Sequence, residues 1–117
     1  MKFVIYFYIS FFPSRQETQM NLFVVLSNHG VYHDCMGVFS TRQGAQNFLD
    51  THDIHQGYIQ SVEVSGDYSS PNDVYEANSF LKEWKVHTFI GLYATQEEAE
   101  SVAGKEGLVM PRSLDDV

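Results

Sequence analysis

The amino-acid sequence predicts an α+β fold, a two-layer sandwich in which a mainly antiparallel sheet carries two helices on one face. The main observation is an internal repeat, because residues 32–45 recur as residues 86–99 without a gap. The residues kept in place are His33 and His87, Gly37 and Gly91, Thr41 and Thr95, and Ala45 and Ala99. In each copy, strand-like alternation changes to helical spacing after the threonine. Because each copy of a duplicated unit buries the same face, we expect two β-β-α-β repeats related by a pseudo-twofold axis.

The first repeat reads as strand, strand, helix and strand. Residues 22–26 and 33–39 are β-prone runs separated by a Ser-Asn-His-Gly turn signal. Thr41 is a helix N-cap, and the helix ends near Asp50. The apolar stripe of this helix consists of Ala45, Phe48 and Leu49. Residues 58–64 alternate as the third strand.

The second repeat follows the same order. Residues 74–79 and 84–93 match the first two strands, and Thr95 opens a T-x-x-E capping box. The equivalent helical stripe consists of Ala99, Val102 and Ala103. Residues 108–110 are predicted to form a last short strand, and residues 112–117 an acidic tail.

The length of 117 residues suits one domain with a single core. We expect residues 20–117 to form this domain, with repeats at residues 20–66 and 73–111. The stretch between the repeats has the Gly, Ser, Pro, Asn and Asp content of a connecting loop.

Residues 1–19 are interpreted as an N-terminal extension. Their apolar run, residues 3–12, is shorter than the ~20 residues that a membrane-spanning helix needs. Three interpretations stay open: an extra strand, an extension read from a start upstream of Met20, and a signal peptide that lacks a small-x-small cleavage site.

Alternation along the duplicated strand assigns its two faces. Met36, Val38, Ile90 and Leu92 are expected to face the helices, and the other face carries His33, Cys35, Gly37 and Phe39 with their equivalents His87, Phe89, Gly91 and Tyr93. This second face is more aromatic than a solvated sheet face. We therefore expect Phe39, Phe89 and Tyr93 to bind a partner, and the chain to self-associate as a homodimer through them.

The charge is acidic and unevenly distributed. Residues 1–57 carry three Lys or Arg and four Asp or Glu, whereas residues 58–117 carry four and eleven. Such a surface opposes binding to nucleic acid, whose backbone is a polyanion. Glu97, Glu98 and Glu100 lie in the strongest acidic concentration, so we expect them to contact a protein partner with a basic surface.

Catalytic and metal sites are not predicted. The single Cys35 excludes an internal disulfide and favours a reducing, cytoplasmic location. His33, Cys35 and His87 are the candidate metal ligands, but no second Cys/His pair with ligand spacing accompanies them. The same residues offer a candidate nucleophile, Cys35, with either histidine as its base. We therefore expect no cofactor, no metal and no membrane association.

Residues 37–45 and 91–99 follow a G-(V/P)-(Y/F)-S-(S/T)-x-x-x-A pattern with variations, the second copy having Ala94 before Thr95. This pattern resembles small uncharacterised bacterial and phage domains with a strand–strand–helix–strand plan. It also resembles the SPOR peptidoglycan-binding domain, an internally duplicated α+β sandwich, although Val38 and Leu92 stand where that family usually has proline. The second resemblance implies binding to cell-envelope glycan, and neither assigns a functional residue.

Together these observations favour a non-catalytic protein-binding module, for example a small acidic phage-type inhibitor or adaptor of a host protein. The alternatives are a SPOR-like glycan binder and a Cys/His or metal-dependent enzyme.

Overall fold

The structure, a computed structural model, describes residues 21–66 and 73–116. The predictions made for residues 1–19 lie outside the described residues, as does most of the predicted linker.

The first repeat contains β1 (Asn21–Asn28), β2 (His33–Phe39), α1 (Arg42–Thr51) and β3 (Gly57–Glu63). Its three strands form an antiparallel sheet with the order β2-β1-β3. The Thr41 hydroxyl accepts the Gly44 N–H at 3.0 Å and thereby caps α1 as predicted.

The second repeat contains β4 (Asp73–Leu81), β5 (Val86–Tyr93), α2 (Gln96–Ala103) and β6 (Leu108–Ser113). The strand order β5-β4-β6 reproduces the topology of the first repeat, again with antiparallel pairing. The α+β class and the internal duplication are thus confirmed. Thr95 caps α2 by accepting the Glu98 N–H at 3.2 Å.

The two sheets pack face to face, and each helix covers the outer face of its own sheet. The central core between the sheets consists of Leu22, Val24, Leu26, Cys35, Val38 and Val64 from the first repeat with Val74 and Leu92 from the second. Separate outer cores join α1 to the first sheet and α2 to the second. The prediction of a two-layer sandwich with both helices on one face of a single sheet is therefore wrong. The layer order is helix, sheet, sheet, helix.

A β-bulge in each repeat explains why the predicted faces are wrong. Val25 pairs with Gly37 and Leu26 with Cys35, so Met36 is an extra residue in β2. The same irregularity occurs in β5 between Phe89 and Gly91, where Ile90 is the extra residue. Each bulge reverses the alternation beyond it.

The predicted assignment of the duplicated strand is reversed after the bulge. Val38 and Leu92 lie in the core between the sheets, not under the helices. Met36 and Ile90 do not face the helices either, because they are 41% and 39% exposed.

The repeats are joined by a reciprocal contact just beyond their last strands. The Ser65 N–H donates to the Leu92 carbonyl at 3.1 Å, and the Asp115 N–H donates to the Val38 carbonyl at 2.8 Å. Each residue lies two positions past its repeat's third strand and binds the second strand of the other repeat. The contact is therefore related by the predicted pseudo-twofold axis, and it closes part of each sheet's edge.

Three smaller predictions also need correction. Val102 is 49% exposed and does not belong to the buried stripe of α2, which consists of Ala99 and Ala103. Strand β6 continues through Pro111 to Ser113, so Arg112 is a strand residue and not part of a tail. Trp84 lies in the hairpin turn before β5.

We predict that Leu26→Ala lowers the free energy of unfolding by about 2–5 kcal/mol, because Leu26 is 1% exposed between the sheets. The matched control is Met36→Ala, which truncates an exposed bulge residue and is expected to cost less than about 1 kcal/mol. Chemical denaturation followed by circular dichroism measures both. Equal losses for the two variants would contradict face-to-face packing of the sheets.

Candidate binding surfaces

The predicted aromatic binding face does not exist as an open surface. Phe39 is 1% exposed and packs under α1, with its ring centroid 5.2 Å from that of Phe48. Tyr93 packs against the small residues of α2, and Phe89 packs against the core between the sheets. The second sheet and the two helices cover the side chains that the alternation in the sequence had placed on one free face. The expectation of self-association through these three aromatics is wrong for that reason.

The predicted acidic residues lie in the first two turns of α2. Glu97 and Glu100 are exposed and Glu98 is half-buried. Glu98 accepts the Thr95 hydroxyl at 3.1 Å, and Glu100 accepts the Gln96 side-chain amide at 2.9 Å. Negative charge near a helix N-terminus is stabilising, so Glu97 and Glu98 favour the helix itself. The exposed carboxylates of Glu97 and Glu100 are nevertheless available to a basic partner.

The candidate histidines His33 and His87 are hydrogen-bonded to different groups. The His33 Nδ1 lies 2.8 Å from the Tyr58 hydroxyl, whereas the His87 Nε2 lies 3.0 Å from the Glu106 carbonyl oxygen. Residues 21–66 and 73–116 contain no group of three metal-ligating side chains placed to hold an ion.

Cys35 is a buried thiol that faces the second sheet. It is 5% exposed, and burial, followed by the nearby Glu76 carboxylate, raises its pKa to about 12. Since the nucleophile is the thiolate, a thiol that stays protonated at neutral pH does not suit nucleophilic catalysis.

A buried polar cluster lies beside Cys35 and joins the two sheets. The Arg112 Nε donates to Glu76 at 2.6 Å, and its Nη2 donates to the Cys35 carbonyl at 2.6 Å. The Asn78 amide donates to Glu76 at 2.9 Å and to the Leu108 carbonyl at 3.2 Å. Burial opposes the charge on Arg112, but the hydrogen bond to Glu76 and the nearby negative charges together outweigh burial and raise the pKa of the guanidinium.

This cluster breaks the symmetry of the repeats. Strand pairing makes Glu76, Asn78 and Arg112 the equivalents of Val24, Leu26 and Val62 in the first repeat. A cavity of about 280 Å³ lies against the cluster, and His87 and Met110 are among its lining residues. Glu76, Asn78 and Arg112 are paired with one another, so the cluster holds the sheets in register. Asp34, the other charged residue of the cavity lining, lies 3.6 Å from His29 and is half exposed.

The most exposed large apolar side chain of the described residues is Trp84, which is 58% exposed in the β4–β5 turn. Val31 in the β1–β2 turn is 45% exposed and lines the same groove of about 520 Å³. The residues that line this groove, here called the hairpin-end surface, are Val31, Phe80, Leu81, Lys82, Glu83 and Trp84.

Sequence reasoning missed the hairpin-end surface because it placed Trp84 at the beginning of a strand. The available signal was the polar sequence around it, since Lys82, Glu83 and Lys85 suit a turn better than a strand. The proximity of Val31 could not be read from the sequence, because it depends on how the two sheets pack.

No protein-family model, curated protein or solved structure matches this chain. Neither helix in the described part of the chain is long and apolar enough to cross a bilayer.

We predict that Arg112→Met lowers the free energy of unfolding by about 3 kcal/mol, because it leaves the buried Glu76 carboxylate without its counter-charge. The double variant Arg112→Met with Glu76→Gln should recover most of that loss, since no buried charge is then left unpaired. Urea denaturation of the two variants and the wild type measures the difference. A double variant no more stable than Arg112→Met would contradict this role of the ion pair.

We also predict that the Cys35 thiol of the folded protein reacts with a thiol reagent at pH 8 only through unfolding. The protein unfolded in guanidinium is the control and should react fast. Folding raises the pKa of this thiol from 9.0 to about 12, so the folded protein favours the protonated thiol. The contribution of the thiol to the free energy of unfolding is therefore present below pH 9 and is lost as the pH rises toward 12. Rapid stoichiometric labelling of the folded protein would contradict the burial of Cys35.

Proposed function

We propose that this protein is a non-catalytic protein-binding module that contacts its partner through the hairpin-end surface. The observation that carries the proposal is the exposure of Trp84 beside Val31. Tryptophan is enriched among the residues that dominate protein interfaces, where it fills a pocket and is surrounded by polar contacts. Lys82 and Glu83 supply such a polar rim.

The hairpin-end surface suits binding because its backbone is held by the fold. Trp84 and Lys85 both donate their N–H to the Leu81 carbonyl, at 3.1 Å and 2.7 Å, so the turn is closed. Phe80 packs against His87, with ring centroids 5.1 Å apart, which fixes the base of the turn. A turn whose backbone is already ordered loses less conformational entropy on binding.

The chemistry of the polar side chains supports a non-catalytic role. The Cys35 thiol is buried with a raised pKa, and His33 and His87 are bonded to different groups. The buried carboxylate of Glu76 is neutralised by Arg112. No hydrogen bond joins Cys35 to His33 or His87 among the described residues, which supports the non-catalytic alternative over the enzyme alternative.

A basic surface on the partner would complement the charge of the second repeat. Glu97 and Glu100 on α2 are exposed, and the formal net charge of the chain is −8. Long-range attraction of this kind raises association rates more than it raises affinity, and added salt weakens it. We therefore assign recognition of the partner to Trp84 and electrostatic steering of the partner to the α2 carboxylates. In this proposal the protein acts as an inhibitor or adaptor of a basic protein.

We predict that Trp84→Ala weakens partner binding by about 2 kcal/mol or more, a ~30-fold rise in Kd. The matched control is Val102→Ala, which truncates an apolar side chain of similar exposure on α2. Quantitative affinity capture from native host extract compares both variants with the wild type. A specific protein partner should be lost with Trp84→Ala and retained with Val102→Ala. Equal recovery by both variants, or the absence of any specific protein, would contradict the proposal.

A further inference from the structure

The outer edge of β3 differs from the other strand edges of the fold. On β2, the His33 N–H donates to the Thr88 hydroxyl at 3.0 Å, and the Cys35 carbonyl accepts from Arg112. The bulge at Met36 further interrupts that edge. β2 is thus closed by residues of the other repeat.

The edges of the second sheet also carry features that discourage pairing. β5 has a bulge at Ile90 and binds Ser65 at its end. β6 contains Pro111, which has no N–H to offer a neighbouring strand. Natural proteins use bulges and prolines in this way to prevent edge-to-edge association.

β3 contains none of these features. Its register with β1 is continuous over seven residue pairs from Gly57 to Glu63, and it contains neither proline nor lysine. The strand pairing makes Ser61 the equivalent of Pro111, because Ile59 pairs with Val25 as Val109 pairs with Ala77. Ser61 of β3 therefore keeps a backbone N–H donor at the position where Pro111 leaves β6 without one.

The hydrogen bonds around β3 show which backbone groups face outward. Ser65 directs both its N–H and its carbonyl away from β1, toward Leu92 and Ala94. Since backbone direction alternates along a strand, Ile59, Ser61 and Glu63 direct theirs to the same side. These groups have no hydrogen-bond partner among residues 21–66 and 73–116.

We propose that β3 pairs antiparallel with β3 of a second copy of this chain, so that the two first-repeat sheets form one six-stranded sheet across a twofold axis at Gln60. This interface is different from the aromatic face predicted from the sequence. It is also separate from the hairpin-end surface and does not rest on it.

The sequence of β3 is self-complementary in this register. Gln60 lies opposite Gln60 of the second copy, Tyr58 lies opposite Val62, and Ile59 lies opposite Ser61. An aromatic residue opposite a β-branched one is a favourable cross-strand pair. Glu63, the one charged residue of β3, lies opposite Gly57, so no like charges meet. In a twofold interface every such pair occurs twice.

The length of the free edge also fits this register. At one end the chain turns away, since the Gly57 N–H donates to the Ile54 carbonyl at 3.2 Å. At the other end β5 takes the neighbouring position from Ser65 onward. Pairing of Gly57–Glu63 with its own copy uses the whole edge between these limits.

A cysteine cross-link tests both the association and its register. Because the backbone groups of Gln60 face β1, residues 60 of the two copies form a non-hydrogen-bonded pair, in which Cα atoms are about 4.5 Å apart and a disulfide fits. We expect mild oxidation of the full chain carrying Gln60→Cys to give a disulfide-linked dimer. The matched control Glu63→Cys places an exposed cysteine on the same strand but several residues from its copy, and it should stay monomeric. Cross-linking of Gln60→Cys no faster than of Glu63→Cys would overturn the proposal.

Sedimentation of the full chain completes the test. The wild type should sediment as a dimer, and Ser61→Pro should sediment as a monomer with an unchanged circular dichroism spectrum, because it removes only an outward N–H. Ser61→Ala keeps that N–H and should remain a dimer. A monomeric wild type, as expected if another segment of the chain covers β3, would overturn the proposal, and so would a folded, dimeric Ser61→Pro. Trp84→Ala should leave the dimer intact, so this result is independent of the proposed partner binding.

Discussion

The burial of one sheet against the other is the interaction on which the rest of this structure depends. Each repeat has a helix for only one face of its sheet, and the other face carries Leu22, Val24 and Leu26 in the first repeat. Burying side chains of this size contributes about 1.5–3 kcal/mol each. Leaving such a face in water would forgo this stabilisation, so each repeat serves as the missing layer of the other. The bulges, the reciprocal contact and the polar cluster all follow from fitting these two faces together.

The second repeat has diverged where the first has not. Glu76, Asn78 and Arg112 occupy positions that are apolar in the first repeat, and together they satisfy one another's hydrogen bonds. A buried ion pair adds little stability over well-packed apolar residues, but it penalises every arrangement in which its partners are separated. The polar cluster therefore favours the observed register, which brings Arg112 to the Cys35 carbonyl.

The sequence was sufficient to predict the helices and strands, but it was insufficient to predict how the sheets and helices stack in layers. Periodicity, the Thr41 and Thr95 caps and the internal repeat predicted both helices and the described strands to within a few residues, because those signals are local. The bulges were not predictable, since Met36 and Ile90 continue an apolar alternation that reads equally well without an insertion. One extra residue reverses every face beyond it, which moved Phe39 and Tyr93 from an expected binding face into the cores. Candidate surfaces were missed for a related reason: Val31 and Trp84 meet only through the packing of the sheets.

The reciprocal contact has a consequence for how the chain acquires its structure. The bond from Ser65 to Leu92 joins residues 27 positions apart, whereas its counterpart from Asp115 to Val38 joins residues 77 positions apart. During synthesis the first repeat is complete long before Asp115 is available, and its apolar face stays uncovered through that interval. Contacts of such wide sequence separation slow folding because the loop between them must be ordered first. Because of the duplication, the first repeat needs the second repeat to cover its apolar face, and the second repeat is synthesised later. A ribosome-bound first repeat therefore exposes the apolar face of its sheet to its surroundings.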